Sequence, residues 1–281
     1  MKILSPEAHQ RKIVRVLGLA QVLNGIGVAG TVAAGSLLVS SITKSDGLSG
    51  LAQTISVLGA AVMALPLARL TQSGGRRLAL TSGYSIGVVG AVLAIFGGAN
   101  QNLFFMLLGA FMVGAASASG YQARFAAIDL ATPEKRSKDL SFVVWGSTIG
   151  AVTGPNLMEP SGVFAAALGL PKLVGPYFIA AFTLALSVVV IQLFLKPDPF
   201  LTANKVAAGS SLQEQKSMRS ALKHIREYPL AIFAITSVAI GHLAMVSIMV
   251  MTPVHMAHSD ASLQIIGFVI SVHVLGMYAF S

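Results

Sequence analysis

Few side chains in this sequence are equipped for chemistry, and long apolar stretches separate them. Gln21 and Asn24 interrupt one apolar run, and His242 interrupts another. A buried amide must find a hydrogen-bond partner or face a cavity. Histidine adds a proton that it can gain or lose near neutral pH. Such groups suit holding a polar solute rather than making or breaking bonds. Arg76 and Arg77 follow Gly75, while Arg124, Asp129 and Arg136 form a second cluster. Arginine's planar fork fits carboxylates and helix-end carbonyls, so these groups could latch one chain segment to another. Gly146, Gly150 and Gly154 recur every fourth residue ahead of Pro155. On a helix they share one face, which lets a second backbone approach closely. Pro155 permits a kink.

His255, Met256 and His258 follow Met245, Met249 and Met251. Soft metals favour these types, but methionine is also an ordinary filler of apolar helices, and no metal site is assigned. There are no cysteines, which excludes disulfide scaffolds, zinc ribbons and thiol chemistry. No Gly-Lys-Ser/Thr phosphate loop is present. Neither an enzyme's constellation nor a cofactor is implied.

The elements that position these groups follow from composition. Apolar residues make up 54% of the 281 and charged residues 10%, with a mean hydropathy of +0.77. A soluble domain carries about 25% charge. The chain therefore reads as an all-α integral membrane protein. Runs free of Asp, Glu, Lys and Arg span 16–43, 47–68, 78–123, 140–158, 173–195, 228–259 and 261–281. A spanning helix needs about 20 apolar residues, so 78–123 holds two, divided at Gly97–Asn102. Eight helices are expected, at 15–42, 48–70, 78–97, 103–126, 139–158, 174–195, 229–252 and 263–281. Thr132 and Pro133 suit the start of the fifth.

Seventeen of the nineteen Lys and Arg residues fall on one side of this arrangement, leaving Lys44 and Lys172 on the other. That bias places the N-terminus in the cytoplasm. It makes the net charge of +9 topological, attracting anionic lipid rather than nucleic acid. Residues 1–195 form a six-helix bundle and 229–281 begin a second. Residues 196–228 link them, with a basic amphipathic helix carrying Lys216, Arg219, Lys223 and Arg226 beside Met218, Leu222 and Ile225.

A shift of 215 residues lays the second block over the first, matching Ser56-Val57 to Ser271-Val272 and Ala29 to Ala244. His242 then falls on Gly27, three residues from Asn24. Parallel repeats of this kind occur in many transporters.

Three stretches carry a resemblance. Ala68–Arg77, reading ARLTQSGGRR, resembles the Gly-x-Leu-Ala-Asp-Arg-x-Gly-Arg-Arg signature of the major facilitator superfamily of secondary transporters. Leu70, Gly75, Arg76 and Arg77 match; Gln72 stands in place of Asp and Ala68 in place of Gly. Asp129–Arg136 is similar to that family's Asp-x-x-x-Pro-x-x-Arg connection, and Gly146–Pro155 to the core of its proton-coupled export motif. Ala110 occupies the position where drug–proton exporters often carry Arg. The resemblance implies a bundle of twelve helices, eight of them here. It also implies alternating access for a small molecule between helices 1, 4, 5 and 7, with proton-coupled export. The alternatives are uptake by the same fold, metal transport, and a truncated chain or partner subunit that does not transport alone. The 281 residues stop before the repeat's counterpart of 68–77, so independent transport is not expected.

Overall fold

The computed structural model describes residues 6–207 and 224–278. It is helical throughout, with no strand among the described residues. Helix α1 covers Pro6–Thr43. It starts nine residues before the expected boundary, because charged residues end a membrane span without ending a helix. Three contacts tie its first turns to residues 127–139. Gln10 Nε2 donates to Ala127 O at 2.8 Å and to Asp139 Oδ2 at 2.7 Å. Lys135 reaches Glu7 at 2.8 Å.

Helix α2, Leu51–Ala99, is one assigned run of 49 residues holding a break at Gly75, where φ is 86° and ψ 173°. Only glycine adopts that conformation without strain. The chain reverses there, as packing against α3 (Leu103–Ala126) shows. The first limb ascends with α3: Gly59 lies against Phe111, and Ala64 O accepts from Gln122. The second limb descends: Gly83 meets Ser119, Gly90 meets Met112, and Gly97 meets Met106. The limbs thus supply the second and third expected spans. Gly97, Gly98 and Ala99 stay helical, and the turn itself is Asn100–Asn102, whose Asn102 Oδ1 caps α3 by accepting from Phe105 N–H at 3.2 Å.

Helix α4, Arg136–Asn156, opens three residues after Pro133. Thr132 O accepts from Lys135 and Arg136 N–H at 2.9 and 3.1 Å, so Thr132 and Pro133 form a lead-in turn rather than the helix start. Glu134 there is held below the usual carboxylate range by its own backbone N–H, and then by the Thr132 hydroxyl. Beyond Pro155 the helix stops and α5, Met158–Ala167, begins. Segmentation by charge treats that stretch as a loop, because Glu159 marks the end of a span. Helix α6 is Gly175–Phe194, and α7, Pro199–Ala207, occupies the start of what the sequence presents as linker. Helices α8, Pro229–His258, and α9, Leu263–Tyr278, complete the described chain. Lys216, Arg219, Lys223, Met218 and Leu222 of the expected basic helix lie outside the described residues.

Helix α1 is central and packs against α3, α4, α6 and α8. Its contact with α4 is a parallel glycine seam: Gly146 meets Gly18, Gly150 meets Val22 and Gly25, and Gly154 meets Ile26 and Gly30. A Cβ on Gly146 or Gly154 would fall 2.6 Å from the Gly18 or Ile26 carbonyl oxygen. Leu17, Leu80, Tyr84 and Leu184 fill one core region; Leu38, Met106 and Tyr177 fill another with Val254 and Ile266 of α8 and α9. Phe104, Phe182 and Phe233 stand exposed, as hydrocarbon surroundings permit.

The last two helices meet the first six at a few polar points. Ser271 donates to Val152 O at 2.7 Å and accepts from Asn156 Nδ2 at 2.7 Å. His258 Nε2 lies 3.2 Å from Asp46 Oδ2, and Ser40 donates to Asp46 Oδ1 at 2.7 Å.

Candidate functional site

A cavity of about 870 Å³ opens between α1, the first limb of α2, α3 and α8. About half of its lining residues are Ala, Val or Gly. Its polar lining residues include Gln21, Asn24 and His242, the three that interrupt apolar runs in the sequence. Gln21 is 1% exposed and Asn24 7%. Gln21 Nε2 donates to Gly120 O at 3.0 Å, which fixes the amide against α3. That leaves Gln21 Oε1 and Asn24 Oδ1 buried without a hydrogen-bond partner. Both oxygens are covered in this arrangement, and each remains a cost until a small side-chain rotation brings it to a donor in the cavity. His242, exposed on α8, lines the same space.

Gly120 makes this arrangement possible. A Cβ there would lie 2.6 Å from Asn24 Nδ2 and 3.1 Å from Gln21 Oε1. The sequence reading passes over Gly120, since one glycine among many carries no mark of its partner.

At one end, the cavity is bounded by a knot of charged groups. Arg76 Nε and Nη2 donate to Asp129 Oδ2 and Oδ1 at 2.8 and 3.1 Å, a bidentate pair whose side chains are 12% and 14% exposed. Arg76 Nη1 also reaches Gln122 Oε1 at 3.4 Å, where the Thr71 hydroxyl donates at 3.1 Å. The Phe200 ring lies 5.5 Å from the Arg76 guanidinium carbon. Asp198 completes the knot. Its Oδ2 accepts the Arg77 N–H at 2.7 Å, and its Oδ1 accepts from Phe200 and Leu201 N–H at 3.0 and 3.1 Å. It is the N-cap of α7, with Pro199 at the first helical position. A Cβ on Gly75 would lie 2.5 Å from the same carboxylate.

The sequence offers Asp129, or the 72–77 loop, as a partner for Arg124, and otherwise leaves Asp129 in the turn before the fifth helix. The structure brings it to Arg76 and leaves Arg124 aside. Arg124 sits over the Tyr121 ring at 5.2 Å, with no carboxylate within ion-pair distance among the described residues. Arg136 is exposed in the first turn of α4 and takes no part in the knot. Sequence reasoning misses Asp198, Phe200 and Gln122. Asp198 has a readable signal, an Asp immediately before Pro at a helix start. Gln122, an amide in an apolar run, has the same signal as Gln21.

The glycine face of Gly146, Gly150 and Gly154 lies against α1, one turn from Asn24, and Ser147 and Ala151 beside it line the cavity. Pro155 ends α4 and presents its carbonyl to Gly267 of α9.

Residues 17–281 match the family model described as Major Facilitator Superfamily. The chain is 34% identical over 279 residues to "Uncharacterized MFS-type transporter YdeG" of Bacillus subtilis (strain 168), covering 98% of this chain and 65% of that protein. It is 30% identical to "Uncharacterized MFS-type transporter YddS" of the same organism, covering 98% and 64%. To "Riboflavin transporter RfnT" of Brucella anthropi it is 26% identical, covering 97% and 65%. The chain therefore spans just under two thirds of the length of these relatives. With the family matched along nearly all of its residues, this all-α integral membrane chain belongs to the Major Facilitator Superfamily of transporters.

Proposed function

We propose that these residues carry a small organic molecule across the membrane by alternating access, in exchange for protons and in the direction of export. The observation that carries the reading is the pair of orphaned acceptors, Gln21 Oε1 and Asn24 Oδ1, beside a cavity large enough for a small solute. The relative named for riboflavin favours an organic solute over an inorganic ion. Export rests on the glycine motif of α4, Gly146, Gly150 and Gly154 ahead of Pro155. Proton exchange rests on His242, an ionisable group on the cavity wall. Residues 1–195 act as one bundle and 229–281 as part of a second, with 196–228 as the strap between them. The N-terminus is cytoplasmic, which sets the Arg76–Asp129 knot on the inner side as the closure of the path. Gly75, Arg77 and Asp198 hold that closure in place, and Arg136 lies outside it.

The test is counterflow of labelled organic solutes in proteoliposomes made from the complete gene product containing these residues. Saturable counterflow is expected. His242→Gln should abolish pH-driven accumulation while keeping downhill exchange. No saturable counterflow with any solute overturns transport; loss of both activities, or of neither, in His242→Gln removes the histidine from coupling.

A further inference from the structure

We infer that the transported solute is an organic anion, bound with its anionic group against Arg124 and its hydrogen-bond donors against Gln21 and Asn24. The inference rests on the transport reading and adds the substrate's charge.

Four ionisable groups of the knot and wall set the charge of this space: Arg76, Asp129, Arg124 and His242. Arg76 and Asp129 neutralise each other through two hydrogen bonds. Arg124 is left as a cation with no carboxylate near it among the described residues, and its Nε is buried without an acceptor. A guanidinium in an apolar, partly enclosed wall attracts an anion far more strongly than one in water. A cationic solute would find the opposite, since the cavity's sole carboxylate among its described lining residues already holds Arg76.

Arg124 is not simply reaching for the membrane surface. It stands in the last turn of α3, and a snorkelling side chain would extend beyond the helix end. Instead its guanidinium carbon lies 5.2 Å from the ring of Tyr121, three residues back toward the helix start. There it borders both the main cavity and a side pocket of about 430 Å³ lined by Tyr121, Phe125 and Leu140. The position also has a spacing. Gly120, which holds Gln21, lies one turn before Arg124, about 6 Å along the axis. A ligand that satisfies all three side chains therefore carries an oxyanion at one end and an N–H or O–H donor at the other, with a flat apolar body to lie beside Tyr121.

Indole-3-acetate has this layout, and indole-3-acetamide is its neutral match. Binding of both is measured by calorimetry on the purified complete gene product in neutral detergent. The acid should bind about tenfold more tightly than the amide. In Arg124→Gln the ratio should fall to within about twofold, and Arg124→Lys should retain part of it. Gln21→Leu should weaken acid and amide alike and leave the ratio unchanged. A ratio near one in the unmodified protein, no binding of the acid, or an unchanged ratio in Arg124→Gln overturns the inference. A phospholipid headgroup offers the same oxyanion chemistry. If nanodiscs of phosphatidylglycerol abolish acid binding and those of phosphatidylcholine preserve it, the anion is a headgroup and the substrate assignment falls. Counterflow of neutral solutes with a flat acid-to-amide ratio leaves the transport reading standing and removes only the anion; acid binding without counterflow does the reverse.

Discussion

Arg76 and Asp129, 53 residues apart in the chain, meet through two hydrogen bonds at the point where the first limb of α2 turns into the second. The pair joins that turn to the end of α3, and Phe200 covers it from the side.

Removing one partner strands the other. Arg76→Gln and Asp129→Asn should each cost about 1–3 kcal/mol. The double variant should cost clearly less than the two singles together, because the second change removes a group already stranded. Thermal unfolding in detergent measures all three; strict additivity would show that the pair is not coupled.

Gly75→Ala meets two separate penalties. Its φ of 86° and ψ of 173° cost a Cβ-bearing residue about 1–3 kcal/mol, and the added methyl presses on the Asp198 carboxylate. Adding Asp198→Ala removes the overlap but not the backbone strain. The double variant should therefore remain less stable than Asp198→Ala alone. Equal unfolding temperatures would show that the turn relaxes to another conformation.

Gly150→Leu should insert and express while losing most transport. The side chain would enter the space of Val22 O and of the Gly25 and Ile26 backbone. Overpacking of this kind costs about 1–3 kcal/mol and pushes α4 off α1, widening the wall beside Asn24. Gly154→Leu should behave alike, since its Cβ position faces Ile26 O. Undiminished counterflow in both variants would separate the glycine seam from the transport path.

These 281 residues hold no cysteine, so single reporters placed among them meet no background from this segment. Cysteines at 77 and 172 should react with an impermeant maleimide from opposite sides of the membrane, position 77 from the cytoplasm. Modification of both from one side would contradict the orientation inferred from Lys and Arg.

The spans are legible because hydrocarbon excludes charge, and runs free of Asp, Glu, Lys and Arg mark where the chain can cross. The same rule misplaces element ends. It begins α1 near Arg15, although a helix passes through Arg11 and Lys12 without difficulty, and it hides α5 behind Glu159. The pairing of Asp129 is not legible, since the sequence offers it only to Arg124. Arg124 is five residues away and Arg76 fifty-three, so sequence distance favours the wrong arginine. Asp129 lies beyond the end of α3 at Ala126, while Arg124 sits over the Tyr121 ring, and only the fold supplies that divergence. Gln21 and Asn24 are legible as polar intruders; that Gly120 positions them is not, because the contact joins helices 99 residues apart.

The Asp198 carboxylate has a mechanical consequence. It grips the Arg77 N–H on one side and caps α7 on the other, so the first turns after α6 are riveted to the α2 reversal. Tension applied through the chain beyond α7 has two routes back into the first bundle: the covalent route through Leu195 and the rivet at Gly75. A pull on α7 is then delivered beside the Arg76–Asp129 pair as well as at the end of α6. Helix α7 in this way acts as a lever whose fulcrum is one aspartate.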